Sequence, residues 1–315
     1  MTRVAAIDCG TNSIRLLVAD ISDIDTDDGT GGLTDVSRRM EIVRLGEGVD
    51  RTGRFAPAAL TRTFAACAGY AKVIEASGAE RVRFVATSAS RDVDNRDEFA
   101  AGVRSALGVD PEVVTGDEEA ALSFAGATRE LLGAGYRTPF LVVDIGGGST
   151  ELVLGDATVR AARSVDVGCV RMTERHLHDD PPTPDQVAAA RADIEAAIAS
   201  VALTVPVGEA ATLVGLAGSV TTVAAMALDL DAYLPERIHR SRITAEQVHS
   251  VSDRLLAMSR TERAALPFMH PGRVDVIGAG ALILACVLAA VPVDDVVVSE
   301  HDILDGIALS LASLA

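Results

Sequence analysis

The chain has 315 residues, enough for two domains with cores of their own. Acidic residues outnumber basic ones by 45 to 28, a formal net charge of −17. That balance argues against a general nucleic-acid binder, and it leaves any polyanionic ligand to local arginines or metal ions.

Hydrophobic residues make up 49% but aromatics only 3%, so an aliphatic, alanine-rich core is expected. Val4 to Asp8 reads as an apolar strand ending in an acid, Gly10-Thr11-Asn12 as a turn, and Ser13 to Val18 as the returning strand. The chain enters a strand at once, so no signal peptide is expected. Ser22 to Gly32 is acidic and glycine-rich and reads as an exposed loop. Strand resumes over Leu33 to Leu45, and Gly46 to Gly53 is a loop. Pro57 suits a first helical turn, after which Leu60, Phe64, Cys67, Ala71 and Ile74 recur at helical spacing. Arg81 to Ala86 is a strand, and Asn95 with Glu98 has the spacing of a capping box. Arg91 lies between strand end and helix start, where α/β folds place ligand contacts. A plain surface arginine would read the same way.

Glu112 to Val114 is a short strand. Thr115 with Glu118 again has capping-box spacing, which leaves Glu119 over. An acid in a first turn suits the helix dipole; the sharper reading is a general base. Phe140 to Ile145 is a strand, followed by Gly146-Gly147-Gly148, Ser149 and Thr150, with Glu151 early in the return. Consecutive glycines leave backbone N–H groups unshielded, and such a turn can wrap a phosphate. Asp144 and Glu151 flank it, which suits a divalent cation on phosphate oxygens.

Gly155 to Ser164 is turn and strand. Asp166 to Glu174 leads into a helix and carries Arg171, a further candidate phosphate contact. His176, His178, Asp179 and Asp180 hint at zinc, but the following prolines and the missing partner cluster favour a polar loop. Thr183 to Gln186 starts a helix. Thr212 to Leu216 is a strand, and Ala217 to Thr222 is a third glycine and hydroxyl turn, with Gly218 and Ser219 at a helix N-terminus that favours anions. Thr244 and Gln247 cap another helix. Val276 to Val291 is apolar but short for a membrane span and reads as a buried helix. Val296 to Val298 is a strand, and Ile303 to Leu311 a closing helix. Strands alternate with helices throughout, so the class is α/β. The four cysteines are scattered without a C-x-x-C pair, as expected of a reduced cytoplasm.

The first and second glycine turns align without a gap. Asp8 matches Asp144, Gly10 matches Gly146, Ser13 matches Ser149, and Arg15 falls where Glu151 falls. One such unit alone is an ordinary hairpin with a glycine turn. Two matched copies, each with an acid at the strand end, argue for a duplicated fold.

With these motifs the chain resembles the exopolyphosphatase and guanosine pentaphosphate phosphohydrolase (Ppx/GppA) family, within the wider actin-like, ribonuclease H-like fold of sugar kinases and heat-shock ATPases. Asp8 to Ser13 looks like its first phosphate motif and Asp144 to Glu151 its second. Thr115 to Ala120 looks like its S/T-G-x-E-E-A segment; Thr87 to Asn95 and Leu45 to Val49 also match. The resemblance implies two actin-like domains with an active site in the cleft between them. The expected spans are 1–122 with the closing helix of about 302–315, and 123–301. Two departures stand out: Ala217 to Thr222 lacks the lysine often found there, and Asp305-Gly306 stands where many members have Arg-Glu-Gly. The chain looks like the short form of the family.

The implied reaction is hydrolysis of the terminal phosphoanhydride of inorganic polyphosphate, with Glu119 as base. Asp8, Asp144 and Glu151 would hold Mg²⁺ or Mn²⁺. Gly10, Thr11, Asn12, Ser13, Gly146, Gly147, Gly148, Ser149, Thr150, Gly218 and Ser219 would cradle phosphate, with Arg15, Arg91 and Arg171 neutralising charge. A cytoplasmic homodimer with no nucleic-acid or membrane partner is implied. The rivals are a guanosine pentaphosphate (pppGpp) 5′-phosphohydrolase, an ATP-dependent kinase or ATPase of the same fold, and a non-catalytic sensor of polyphosphate or an alarmone.

Overall fold

A computed structural model describes residues 1–22, 32–91 and 93–312. The acidic stretch expected as a loop, Ser22 to Gly32, lies outside the described residues except at its two ends. Those ends are joined, the Ser22 amide donating to the Gly32 carbonyl at 3.0 Å. The chain forms two compact units, Met1–Gly135 with Ile303–Ala315, and Tyr136–Asp302.

In the first unit β1 (Thr2–Cys9), β2 (Ser13–Ile21), β3 (Leu33–Ile42), β4 (Arg81–Ala86) and β5 (Glu112–Val113) form one sheet in the order β3-β2-β1-β4-β5. β1 pairs antiparallel with β2 and parallel with β4. Both faces of β1 are covered, which is why it reads as an unbroken apolar run. Ala5, Ile7 and Cys9, with Ile14, Leu16 and Val18, meet Leu60 and Cys67 of one helix and Phe99 and Val103 of another. After the short α1 (Val49–Thr52), these helices are α2 (Pro57–Ser77) and α3 (Arg96–Leu107). The alternate residues Val4, Ala6, Leu17 and Ala19 meet Leu122 of α4 (Gly116–Gly133) and Ile303, Leu304 and Ile307 of the closing helix (Ile303–Ala312). A Cβ on Gly306 would lie 2.0 Å from the Leu122 carbonyl, so glycine there lets the two helix backbones approach. Its neighbour Asp305 is buried and accepts from Arg38 of β3 at 2.7 Å.

Two expected caps take a different form. Asn95 makes no side-chain cap bond. Its amide side chain is drawn to the backbone of Phe55, accepting from the N–H at 2.9 Å and donating to the carbonyl at 3.2 Å. Thr115 does cap α4, accepting from the Glu118 amide at 3.2 Å. The Glu118 carboxylate, though, accepts from Arg83 at 2.9 Å, so only half the box forms.

In the second unit β6 (Phe140–Ile145), β7 (Thr150–Gly155), β8 (Val159–Val165), β9 (Thr212–Leu216), β10 (Arg242–Thr244) and β11 (Asp295–Val298) form a sheet in the order β10-β11-β9-β6-β7-β8. Leave out β10 and the order repeats that of the first unit, with the second strand again antiparallel to the first. The helices are α5 (Cys169–His176), α6 (Pro184–Val201), α7 (Ala217–Ala227), α8 (Pro235–Ile238), α9 (Ala245–Ala257), α10 (Arg260–Ala264) and α11 (Ile277–Ala290). Thr183 and Thr244 each complete the expected capping box. α11 is buried along Ile277 to Leu288, which explains its lack of a polar face. Among the described residues no helix is long and apolar enough to cross a membrane. His176 Nε2 meets the Asp193 carboxylate (2.9 Å), Asp179 accepts from the Gln186 side chain (2.9 Å) and Asp180 accepts from the Arg260 amide (2.8 Å), so His176, Asp179 and Asp180, which hinted at zinc, are engaged in polar links.

Candidate active site

The two hairpins share one register. Asp8 stands opposite Arg15, and Asp144 opposite Glu151. The same bond closes both turns: Gly10 N–H to Ser13 C=O at 2.9 Å, and Gly146 N–H to Ser149 C=O at 3.0 Å. Those two glycine amides therefore shape the loops rather than serve a ligand.

The carbonyls show which amides can serve one. The Thr11 carbonyl accepts from Gly46, and that of Asn12 from Val43 and Arg44. In the second hairpin the Gly146 carbonyl accepts from Cys169, and that of Gly147 from Val170 and Arg171. A trans peptide points its C=O and the following N–H in opposite directions. The amides of Asn12 and Ser13 thus face away from the 43–46 segment, and those of Gly147 and Gly148 away from the first turn of α5. Each hairpin offers two consecutive N–H groups on one side, a small anion nest.

The supporting glycines are specific. A Cβ on Gly168 would lie 2.4 Å from the Gly147 carbonyl, and one on Gly46 2.3 Å from Thr11 Cγ2. Gly168 belongs to none of the glycine motifs, since nothing local marks its close approach to a turn about twenty residues away. The Thr150 hydroxyl donates to the Val167 carbonyl at 2.5 Å and is fully buried, so this expected phosphate donor is committed to the fold.

The acids differ between the copies. Arg15 donates to Asp8 Oδ2 through Nε (2.9 Å) and Nη2 (2.7 Å). Asp8, expected as a metal ligand, and Arg15, expected as a phosphate contact, are thus joined in one ion pair. In the second copy two carboxylates face each other, Asp144 at 7% exposure and Glu151 at 1%. Two buried carboxylates side by side offer oxygen ligands of the kind a divalent cation takes, so the donor set fits Mg²⁺ or Mn²⁺. Glu151 Oε1 also accepts from the Ser164 hydroxyl at 2.6 Å.

Glu119 lies in the first turn of α4, 8% exposed, with its amide bonded to the Thr115 carbonyl. Its carboxylate Oε2 accepts from Arg91 Nη2, and Arg91 Nε donates to the Val114 carbonyl at 3.1 Å. Arg91 and Glu119, singled out separately in the sequence, are thus one ion pair. Thr11 and Ser88 hydroxyls share a bond of 3.1 Å, which joins the first glycine turn to the segment that carries Arg91.

The third glycine turn meets the second through Cys169. Its amide holds the Gly146 carbonyl, and both its side chain and that of Ser219 lie against Gly280, where a Cβ would sit 3.5 Å from Cys169 Cβ and 2.3 Å from Ser219 Oγ. Burial raises the Cys169 thiol above its ordinary value, and the nearby Ser219 hydroxyl offsets part of the rise. A Cβ on Gly218 would lie 2.3 Å from Arg273 Cζ, and Arg273 Nη1 donates to Thr222 at 3.2 Å. The turn that lacks a lysine is therefore covered by a guanidinium from a distant segment. Arg171, expected to meet phosphate, pairs with Asp166 at 3.1 Å.

The model of the Ppx/GppA phosphatase family matches residues 23–314. The chain is 53% identical to Exopolyphosphatase 2 of Mycobacterium tuberculosis over 99% of each protein. It superposes on the crystal structure of an exopolyphosphatase-like protein with a TM-score of 0.94 at 43% identity, over 99% of both chains. With a Ppx/GppA family member from Aquifex aeolicus the TM-score is 0.79 at 30% identity, over 99% of this chain and 98% of that one. The chain belongs to the Ppx/GppA phosphatase family.

Proposed function

We propose that the chain hydrolyses the terminal phosphoanhydride of inorganic polyphosphate and releases orthophosphate. Glu119 takes the proton of the attacking water, with Arg91 orienting its carboxylate. The amides of Asn12, Ser13, Gly147 and Gly148 donate to phosphate oxygens, and Arg273 adds positive charge beside the third turn. Asp144 and Glu151 would hold Mg²⁺ or Mn²⁺; when bound, the cation offsets negative charge on the phosphoryl oxygens. Most of the catalysis is then positioning and electrostatics, as phosphoryl transfer requires.

One observation carries this reading. Two hairpins of common register differ at one facing position, where arginine neutralises Asp8 and a glutamate confronts Asp144. Only the second copy sets two acids at that position, a pair that suits a divalent cation with oxygen ligands. The family supports the substrate class, and a 53% identical relative carries the exopolyphosphatase name. The family resemblance also supports a homodimer, and the scattered buried thiols a reducing cytoplasm.

Orthophosphate release from polyphosphate by the purified chain, with and without Mg²⁺, tests the reaction. The same assay on pppGpp measures selectivity, with polyphosphate expected to be the better substrate. Release from pppGpp alone would replace the substrate in this reading.

A further inference from the structure

We propose that Ser164 is a positioning residue for Glu151, holding its carboxylate ready for the divalent cation. The proposal rests on the reading of Asp144 and Glu151 as metal ligands, and it adds a residue that no motif contains.

The contact itself is short. Ser164 Oγ donates to Glu151 Oε1 at 2.6 Å, in the range of a hydroxyl bonded to an ionised carboxylate. It is also imposed by the sheet, because β8 pairs antiparallel with β7 and puts Ser164 directly opposite Glu151. Serine has a single side-chain torsion to its oxygen, so the strand register alone brings the hydroxyl to the acid.

The duplicated hairpin supplies the internal comparison. In the first unit the residue opposite Arg15 on the third strand is Met40. In the second, the residue opposite Glu151 is Ser164. The hydroxyl therefore occurs in the copy with the facing acids, and a thioether in the copy whose acid is already neutralised by arginine. A purely structural role for the third strand would not require that difference.

A free glutamate side chain samples several rotamers. Holding one oxygen in advance reduces the ordering that metal binding must impose, and outer partners of metal-ligating carboxylates act in this way. The hydroxyl transfers no proton in this role. Ser164 is only partly buried on a strand at the edge of its sheet, so its replacement leaves the apolar core intact.

The test uses Ser164→Ala, Ser164→Thr and Glu151→Gln in the full chain. Mn²⁺ binding is measured without substrate, by the EPR signal of free Mn²⁺, and the metal dependence of turnover is measured separately. Ser164→Ala should weaken Mn²⁺ binding about 10- to 100-fold and regain near-normal kcat at saturating metal. Ser164→Thr, which keeps the hydroxyl, should restore binding, and Glu151→Gln should abolish it. If Ser164→Ala binds Mn²⁺ as the wild type does while Glu151→Gln does not, the role of Ser164 is overturned alone. If Glu151→Gln also binds normally, the metal reading falls and takes this proposal with it. A loss in Ser164→Ala that Ser164→Thr does not recover would assign the effect to packing and overturn the proposal as well.

Discussion

Glu151 stands directly across the hairpin from Asp144, both nearly excluded from solvent, in a register where the matching residues of the first unit form an ion pair. Two facing acids are proposed to hold the divalent cation. Mg²⁺ or Mn²⁺ should therefore raise the melting temperature of the wild type in the absence of substrate. At a hundredfold excess over Kd the stabilisation is about 2.7 kcal/mol. Asp144→Asn and Glu151→Gln should melt at or above the wild-type temperature without metal and show no rise with it. Differential scanning calorimetry with and without EDTA reads this directly.

Glu119→Gln should lower kcat by about two to four orders of magnitude with little change in melting temperature. Glutamine keeps a side-chain oxygen that can accept from Arg91, and the helix start is held by Thr115 and by the Glu119 amide on the Thr115 carbonyl, so the local fold is retained. Steady-state kinetics beside a thermal melt separates the two effects.

Gly168→Ala should damage the second cradle. The backbone there is extended, at φ −136° and ψ 162°, which alanine adopts freely, so the cost comes entirely from contact with Gly147 and Gly148. Overpacking of this kind costs about 1–3 kcal/mol. Phosphate affinity should fall along with stability. Gly208→Ala is the control, since a Cβ there meets nothing within 4 Å. Denaturant melts and phosphate titrations of both variants check the contrast.

Burial raises every thiol: Cys9 well above its ordinary value, Cys169 upward, Cys286 to about 11 and Cys67 to about 12. An unfolded thiol ionises near about 8.5. Above that value the unfolded chain loses protons that the folded chain keeps, so this share of stability is intact below it and is lost as pH climbs through the folded values. The native protein should react slowly with a thiol reagent near neutral pH, all four cysteines should react on unfolding, and the melting temperature should fall as pH rises past about 9. Kinetic thiol titration and melts across pH check both.

The duplicated hairpins, the α/β class and the caps at Thr183 and Thr244 could be read from the chain because each depends on neighbours within a few residues. Asn95 does meet Glu98, side chain to side chain at 3.3 Å, but its oxygen accepts from Phe55, forty residues away, instead of from the amides of its own helix. Gly168 carries no local sign, since its need for a bare backbone comes from Gly147 across the fold. Ser164 requires strand register, and Arg273 requires the packing of a distant segment on Gly218. The Asp8–Arg15 pair was present as an alignment mismatch, but only the facing register turned it into an ion pair.

The duplicated cradles with Glu119, Asp144 and Glu151 are proposed to perform metal-assisted hydrolysis of a terminal phosphoanhydride. Orthophosphate release from polyphosphate by the purified full chain, run with Mg²⁺ and with EDTA, measures that reaction. Sustained release that EDTA and Glu151→Gln both abolish is the expected result. Undiminished release in either condition, or polyphosphate bound in Mg²⁺ with no orthophosphate produced, would contradict it.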